Sequence, residues 1–294
     1  MNNQYMKEWP AATESWTEAV RQAVKVQADG FFHRSALTVK KGTPSRSKAL
    51  LRSWIYRDVH VRAEKEVDSF LSYDALPVST AFRQATVRTS GWRFDAGSIV
   101  NEIRQLSLMP QSVTHEGFVL KGDKVELPRL RCGTSPGWLT VAGLNGEVPR
   151  HCYRLYLPGI RTGHLEALVK AIDLSAAKLA WSLKSSIGVD RDGAEILRAD
   201  QTVIYVAAHK SVEKAEISDF LDVLGENVPV AAGPGFSVEL RPGVYFGGKG
   251  NEYGSFGTRI AGIAADALLH NDFSPLMDAE RNLTVEAMRF ERGE

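Results

Sequence analysis

The chain has 294 residues, 44% of them hydrophobic and 24% charged, with 36 Lys and Arg against 35 Asp and Glu. That length can bury a large core in one or two domains, and a net charge of +1 excludes gathering nucleic acid through an overall field. Two cysteines, Cys132 and Cys152, are too few for a disulfide framework, no apolar run spans a bilayer, and the opening residues lack the apolar core of a signal peptide, so a cytoplasmic protein with reduced thiols is expected.

In chain order, Ala11, Trp16, Val20, Ala23, Val24 and Ala28 recur at helical spacing and predict a helix over 11–29. A basic stretch follows at 34–65, with Trp54 and Tyr56 among its Lys and Arg. Cations interleaved with aromatics suit nucleic acid, a solvated helical face or a peptide-docking surface. No other nucleic-acid motif accompanies it, so a nucleic-acid partner is not expected. From 80 to 150, "GWRFDAGSIVNEIRQ", "EGFVLKGDKVELP" and "GWLTVAGLNGEV" alternate apolar and polar residues between turn residues and predict an antiparallel meander.

Beyond 150 strands and helices alternate. "YRLYLPG", "LAWSLKSS" and "RADQTVIYVAAH" predict strands, and "HLEALVKAIDLSAAK" and "SVEKAEISDFLDVLGE" predict amphipathic helices. "GFSVELRPGVYFG" predicts extended chain, "SFGTRIAGIAADALLHN" a helix, and "ERNLTVEAMRFERGE" a short helix or strand. The whole reads as α+β, with mixed or antiparallel sheets flanked by helices and a helical N-terminal part. Residues 1–80 form a basic, helical docking or peptide-binding region, and 81–294 an α+β domain.

The glycine-rich segment 241–259, "RPGVYFGGKGNEYGSFGTR", matches a phosphate-binding G-x-x-x-x-G-K loop only as far as Lys249. Gly250 replaces the required Ser or Thr, and no helix starts there, so a nucleotide loop is rejected. The second half reads differently. Ser255 is an N-cap candidate, free N–H groups at a helix start favour an anion, and Arg259 lies one turn in. The plain alternative is an ordinary helix cap with a surface arginine. Cations also recur in or beside the predicted strands: Arg154, Lys184, Arg198 and Arg241. A guanidinium donates two parallel hydrogen bonds to a phosphate, so these residues with Arg259 are expected to converge on a dianion.

The same residues carry a family resemblance. "RLYL" (154–157), "WSLK" (181–184), "RADQTVIYV" (198–206), "LRPGVYFG" (240–247) and "YGSFGTR" (253–259) resemble, in order and spacing, the HopA-type effector family. That family includes bacterial type III effectors and the lyase-like proteins of class V lanthipeptide and thioamitide biosynthesis. The match runs through about 150–270; 1–80 are unmatched.

The resemblance implies a lyase domain over 81–294, acting on a precursor peptide whose Ser or Thr a kinase-like partner has phosphorylated. Phosphate elimination would leave dehydroalanine or dehydrobutyrine, with no metal and no organic cofactor. Lys184 would be the base, or a plain phosphate-binding lysine; lysine serves as a base once burial and nearby cations lower its pKa. Arg154, Arg198, Arg241 and Arg259 would bind phosphate, assisted by Ser255. Tyr156, two residues from Arg154 on one strand face, would give a proton to the leaving oxygen, with Tyr205 as the alternative. Asp200 would orient an arginine or pair with it. Thr258 stands where many members carry histidine, and the glycine segment is expected to form a movable flap. The competing expectation is an effector or scaffold that binds a protein or phosphopeptide without turnover.

Overall fold

The computed structural model describes residues 15–27, 30–33, 38–40, 44–88, 119–121, 124–135, 137–144, 152–175, 179–207, 214–249 and 255–293. The first helix, α1 (Trp16–Ala23), starts at Ser15, whose Oγ accepts the Glu18 N–H. It is shorter than the periodicity over 11–29 predicts. "VKVQ" alternates with period two, and Val24–Gln27 pairs as β1 with β2 (Gly30–His33), which in turn pairs with β3 (Thr38–Lys40). The N-terminal part therefore carries a small sheet as well as helices.

The basic stretch folds into α2 (Pro44–Ile55), packed along a C-terminal helix, α6 below. Leu51, Trp54 and Ile55 are buried. The helix then widens into a π-helical turn, Tyr56–Val61, closed by an N–H bond from Arg62 to the Arg57 carbonyl five residues back. Arg62, in the left-handed region with φ 45°, ends it. A short strand, β4 (Ser69–Phe70), and helix α3 (Thr80–Gln84) follow. Next come the strands of a second small antiparallel sheet, β5 (Thr86–Arg88), β6 (Val119–Lys121) and β7 (Lys124–Pro128). The stretch "GWRFDAGSIVNEIRQ" lies outside the described residues.

Among the described residues the main sheet has seven strands. In chain order they are β8 (Leu130–Ser135), β9 (Trp138–Ala142), β10 (Tyr153–Leu157), β11 (Ala180–Ser186), β13 (Thr202–Ala207), β14 (Val238–Arg241) and β15 (Val244–Lys249). The short β12 (Gly188–Val189) pairs outside it with β4. Across the sheet the order is β14-β15-β10-β13-β11-β9-β8, and each pair is antiparallel. The α+β class read from the sequence holds. The remaining helices are α4 (Leu165–Ser175), α5 (Lys214–Asn227), α6 (Phe256–His270) and α7 (Ser274–Glu291). The final segment is a full 18-residue helix, where the sequence left short helix or strand open.

Register divides the sheet into two faces. Leu155, Ile204, Leu183 and Val141 lie in one row across four strands, all buried. They join Leu168, Ile172, Phe220 and Leu224 in a continuous core that reaches from Trp16 to Phe290. Each such fully buried side chain contributes about 1.5–3 kcal/mol. The opposite face carries Arg154 and Tyr156 on β10, Val203 and Tyr205 on β13, Ser182 and Lys184 on β11, and Trp138 and Thr140 on β9. Leu, Ile and Val on one face against Arg, Lys and aromatics on the other is what period two does to a strand half-buried in a core.

The expected glycine flap does not form over 243–249. Gly243, with φ 78°, turns the chain between β14 and β15, and Gly247 lies inside paired β15, against the Tyr156 ring. Residues 250–254 lie outside the described residues. No helix among the described residues is long and apolar enough to cross a membrane.

Candidate functional site

The polar face of the main sheet gathers three of the expected cations. Trp138 is the hub: Lys184 Nζ lies 4.6 Å from the centre of its ring and the Arg198 guanidinium carbon 4.9 Å. Tyr205 is the second platform, 5.8 Å from Lys184 Nζ and 5.9 Å from the Arg154 guanidinium carbon. Register explains the grouping. Arg154 is opposite Tyr205, and Lys184 is opposite Val203 on one side and Thr140 on the other. Ring faces attract cations without neutralising them, each contact being worth about 0.5–2 kcal/mol.

Arg198 comes from the loop before β13. Its Nε and Nη2 donate to the two Asp200 carboxylate oxygens at 2.8 and 2.9 Å, a bidentate pair with Asp200 almost fully buried. Arg154, Lys184 and Arg198 thus come together at two aromatic surfaces beside one buried carboxylate. That arrangement suits a dianion with several acceptor oxygens. By register, buried Arg131 on β8 lies on the same face beyond Thr140.

The π-turn forms the opposite wall. The Val61 carbonyl accepts the Ala199 N–H, and the Val59 carbonyl accepts the Gly235 N–H, which fixes the turn between the Arg198–Asp200 loop and the segment before β14. His60 projects between them, 2% exposed. Its ring stacks near Tyr56 and Phe236 and meets Tyr156 edge-on. Gly257, in the first turn of α6, permits this: a Cβ there would sit 2.3 Å from the His60 ring. Burial, followed by the nearby charges of Arg198, Arg62 and Arg154, pushes the His60 pKa down to about 4, against the opposing pull of Asp200. The imidazole is therefore neutral near pH 7, and its Nδ1 has no hydrogen-bond partner among the described residues.

Tyr56 is half-buried and close enough to Ser255, Asp200 and Arg198 for these groups to act on its hydroxyl. Burial, then Asp200, raises its pKa, while Arg198 and Ser255 lower it. Ser255 caps α6, its Oγ accepting the Thr258 N–H at 3.2 Å and lying 2.6 Å from Thr258 Oγ1.

The expected residues do not all converge. Arg154, Lys184 and Arg198 meet around Trp138 and Tyr205, and Ser255 joins them through Tyr56. Arg241 does not. It lies on edge strand β14, four strands and roughly 19 Å from β11. Asp222 and Glu291 accept from its Nε and Nη1 at 2.6 Å each. Exposed Arg259 leans over the Phe256 ring, and its charge acts on Glu286 of α7, together with that of Lys249. Tyr156 is on the predicted face but enclosed by His60 and Gly247, and burial drives its pKa far upward despite Arg154.

His60 and Trp138 were not singled out from the sequence, and Tyr56 was noted only as an aromatic in a basic stretch. A usable signal existed. Leu51, Ile55 and Val59 mark the buried stripe of α2 and its extension, and His60 sits beside that stripe as a polar residue among apolar ones.

No family model and no curated protein matches the chain. Solved structures do match over nearly its whole length. One is the effector protein from Pseudomonas syringae pv. tomato strain DC3000, with TM-score 0.42, 12% identity, and 95% of this chain and 94% of that one covered. Another is the effector protein from Pseudomonas syringae pv. syringae strain 61, with TM-score 0.38, 12% identity, and coverage of 85% and 92%.

Proposed function

We propose that this chain binds a phosphorylated Ser or Thr of a peptide and eliminates the phosphate. The observation that carries the reading is the placement of Lys184 and Arg198 about one ring, with Arg154 about the next. The motif resemblance over 150–270 adds to it.

In the proposed reaction, Arg154 and Arg198 hold the phosphate oxygens. Lys184 Nζ, in its neutral form, removes the α-proton. The electrons of that C–H bond form the Cα=Cβ bond, and the Cβ–O bond breaks with its electron pair going to phosphate. The products are the dehydro residue, inorganic phosphate and a protonated Lys184. The guanidinium groups lower the barrier by strengthening their bonds as charge builds on the leaving oxygen. Tyr56 replaces the enclosed Tyr156 as the hydroxyl beside the departing oxygen. A kinase-like partner would supply the phosphorylated peptide.

The enclosure of Tyr156 favours a second reading, in which the cluster binds a phosphopeptide or protein partner without turnover. One experiment separates the two. Incubating the protein with a phosphoserine peptide, with and without a kinase-like partner, should release inorganic phosphate and leave a dehydroalanine peptide by mass spectrometry. Lys184→Ala should abolish the release. Tight binding with an unchanged peptide mass selects the second reading.

A further inference from the structure

The π-turn has a second neighbour besides the cation cluster. Its Val61 carbonyl meets Ala199, beside Arg198, and its Val59 carbonyl meets Gly235, in the wall of a cavity of about 310 Å³. That volume lies within the range of small-ligand pockets, roughly 300–1,000 Å³. The wall is tightly built. A Cβ on Gly233 would come within 2.3 Å of the Tyr245 ring, and one on Gly235 would stand 3.1 Å from Arg62 Nη2. The Tyr245 hydroxyl donates to the Ala231 carbonyl at 2.9 Å, and the Ser237 hydroxyl donates to the Pro234 carbonyl. These contacts fix the segment before β14, so the cavity is preformed.

Three charged side chains line it: Arg62 at the end of the π-turn, Glu239 on β14 and Glu280 on α7. Arg62 and Glu239 are both close enough to the Tyr245 hydroxyl for their charges to act on it. Glu280 is half-buried, and its Oε1 accepts the Trp16 N–H at 3.2 Å. Burial raises its pKa, opposed among the described residues by that N–H alone. A carboxylate desolvated in this way and answered by one amide keeps acceptor positions that a cation fills. Glu239 is exposed at the mouth, its Oε1 accepting the Gly243 N–H at 3.3 Å.

We propose that this cavity binds a free α-amino acid with a basic side chain. Its carboxylate pairs with Arg62, one cationic group with Glu280 inside, and the other with Glu239 at the mouth. A guanidinium has five N–H donors, so Arg62 can keep its neighbours in the fold and still receive a carboxylate. Trp16 also lines the cavity, and an indole ring adds attraction for a cation. The two glutamates repel a phosphate, which sets this site apart from the cation cluster.

Calorimetric titration with L-arginine, L-citrulline and agmatine reads the contacts separately, because citrulline lacks the side-chain charge and agmatine the carboxylate. Arginine should bind, and each analogue should bind more weakly, on the order of tenfold. Glu239→Gln, at an exposed position, should erase the difference between arginine and citrulline. Glu280→Gln keeps an oxygen for the Trp16 N–H and should weaken all three ligands. No heat with millimolar arginine, equal affinity for the three ligands, or a preference over citrulline that survives Glu239→Gln overturns the proposal. The ligand series on the wild-type protein suffices for the first two outcomes, and none of the ligands carries phosphate, so the result is independent of the phospho-residue reading.

Discussion

His60 meets Tyr156 edge to face, ring centroids 5.3 Å apart and planes at 82°. The contact joins the π-turn to the polar face of the main sheet and leaves the imidazole with no room for a hydration shell. A protonated ring would bring a charge into that space without water to solvate it.

The consequence is a defined pH dependence of stability. The folded pKa of His60 is about 4, below the ordinary value of 6.5, so between these values the unfolded chain binds more protons than the folded one. Stability therefore falls as pH drops from 6.5 toward 4, with about 3 kcal/mol at stake over the window. Urea unfolding of the wild type and of His60→Gln at pH 7 and pH 5 isolates the term from carboxylate titration. The wild type should lose more between the two pH values. Equal losses would mean that His60 is solvated when folded.

Gly257→Ala is expected to destabilise the fold by about 1–3 kcal/mol, because the new methyl overlaps the His60 ring and the whole turn is pinned at Val59 and Val61. Gly262→Ala, on the same helix with only the Arg52 side chain nearby at 3.8 Å, serves as the control and should be neutral or slightly stabilising. Thermal unfolding of the two variants gives the comparison.

Arg198 and Arg241 separate the cluster from the sheet edge. Phosphate binding should change Trp138 fluorescence, since two cations lie against its ring. Arg198→Met should weaken the titration at least tenfold, whereas Arg241→Met should leave it unchanged and cost less than about 1 kcal/mol of stability, its partners being a partly exposed pair. Trp138→Phe removes the signal. A fluorescence change that persists in that variant comes from another tryptophan and sinks the assignment.

How much of this was legible in the residues varies by element. Tyr153–Leu157 was read as a strand and Thr202–Val206 as one whose continuous apolar run suits a central position, and the common face of Arg154 and Tyr156 followed from period two. Arg241 misled because a cation in a strand carries no sign of which strand lies beside it; strand order, set by long-range pairing, puts it at the edge. Tyr156 misled for a related reason. Strand parity shows that its side chain shares a face with Arg154, but nothing local reveals that a turn from residues 56–61 covers it. His60 escaped because its role depends on Gly257, nearly 200 positions later, being too small to block it.

The fit of His60 against Gly257 also sets an order on synthesis. The ring's seat belongs to α6, nearly 200 residues after the turn that carries the ring, so the turn is made well before its seat. Until residue 257 has emerged, the wall facing Trp138 has no backing, and the growing chain has the cations without the enclosure. The enclosure of the polar face is therefore complete only once α6 has been made and the turn closes against it.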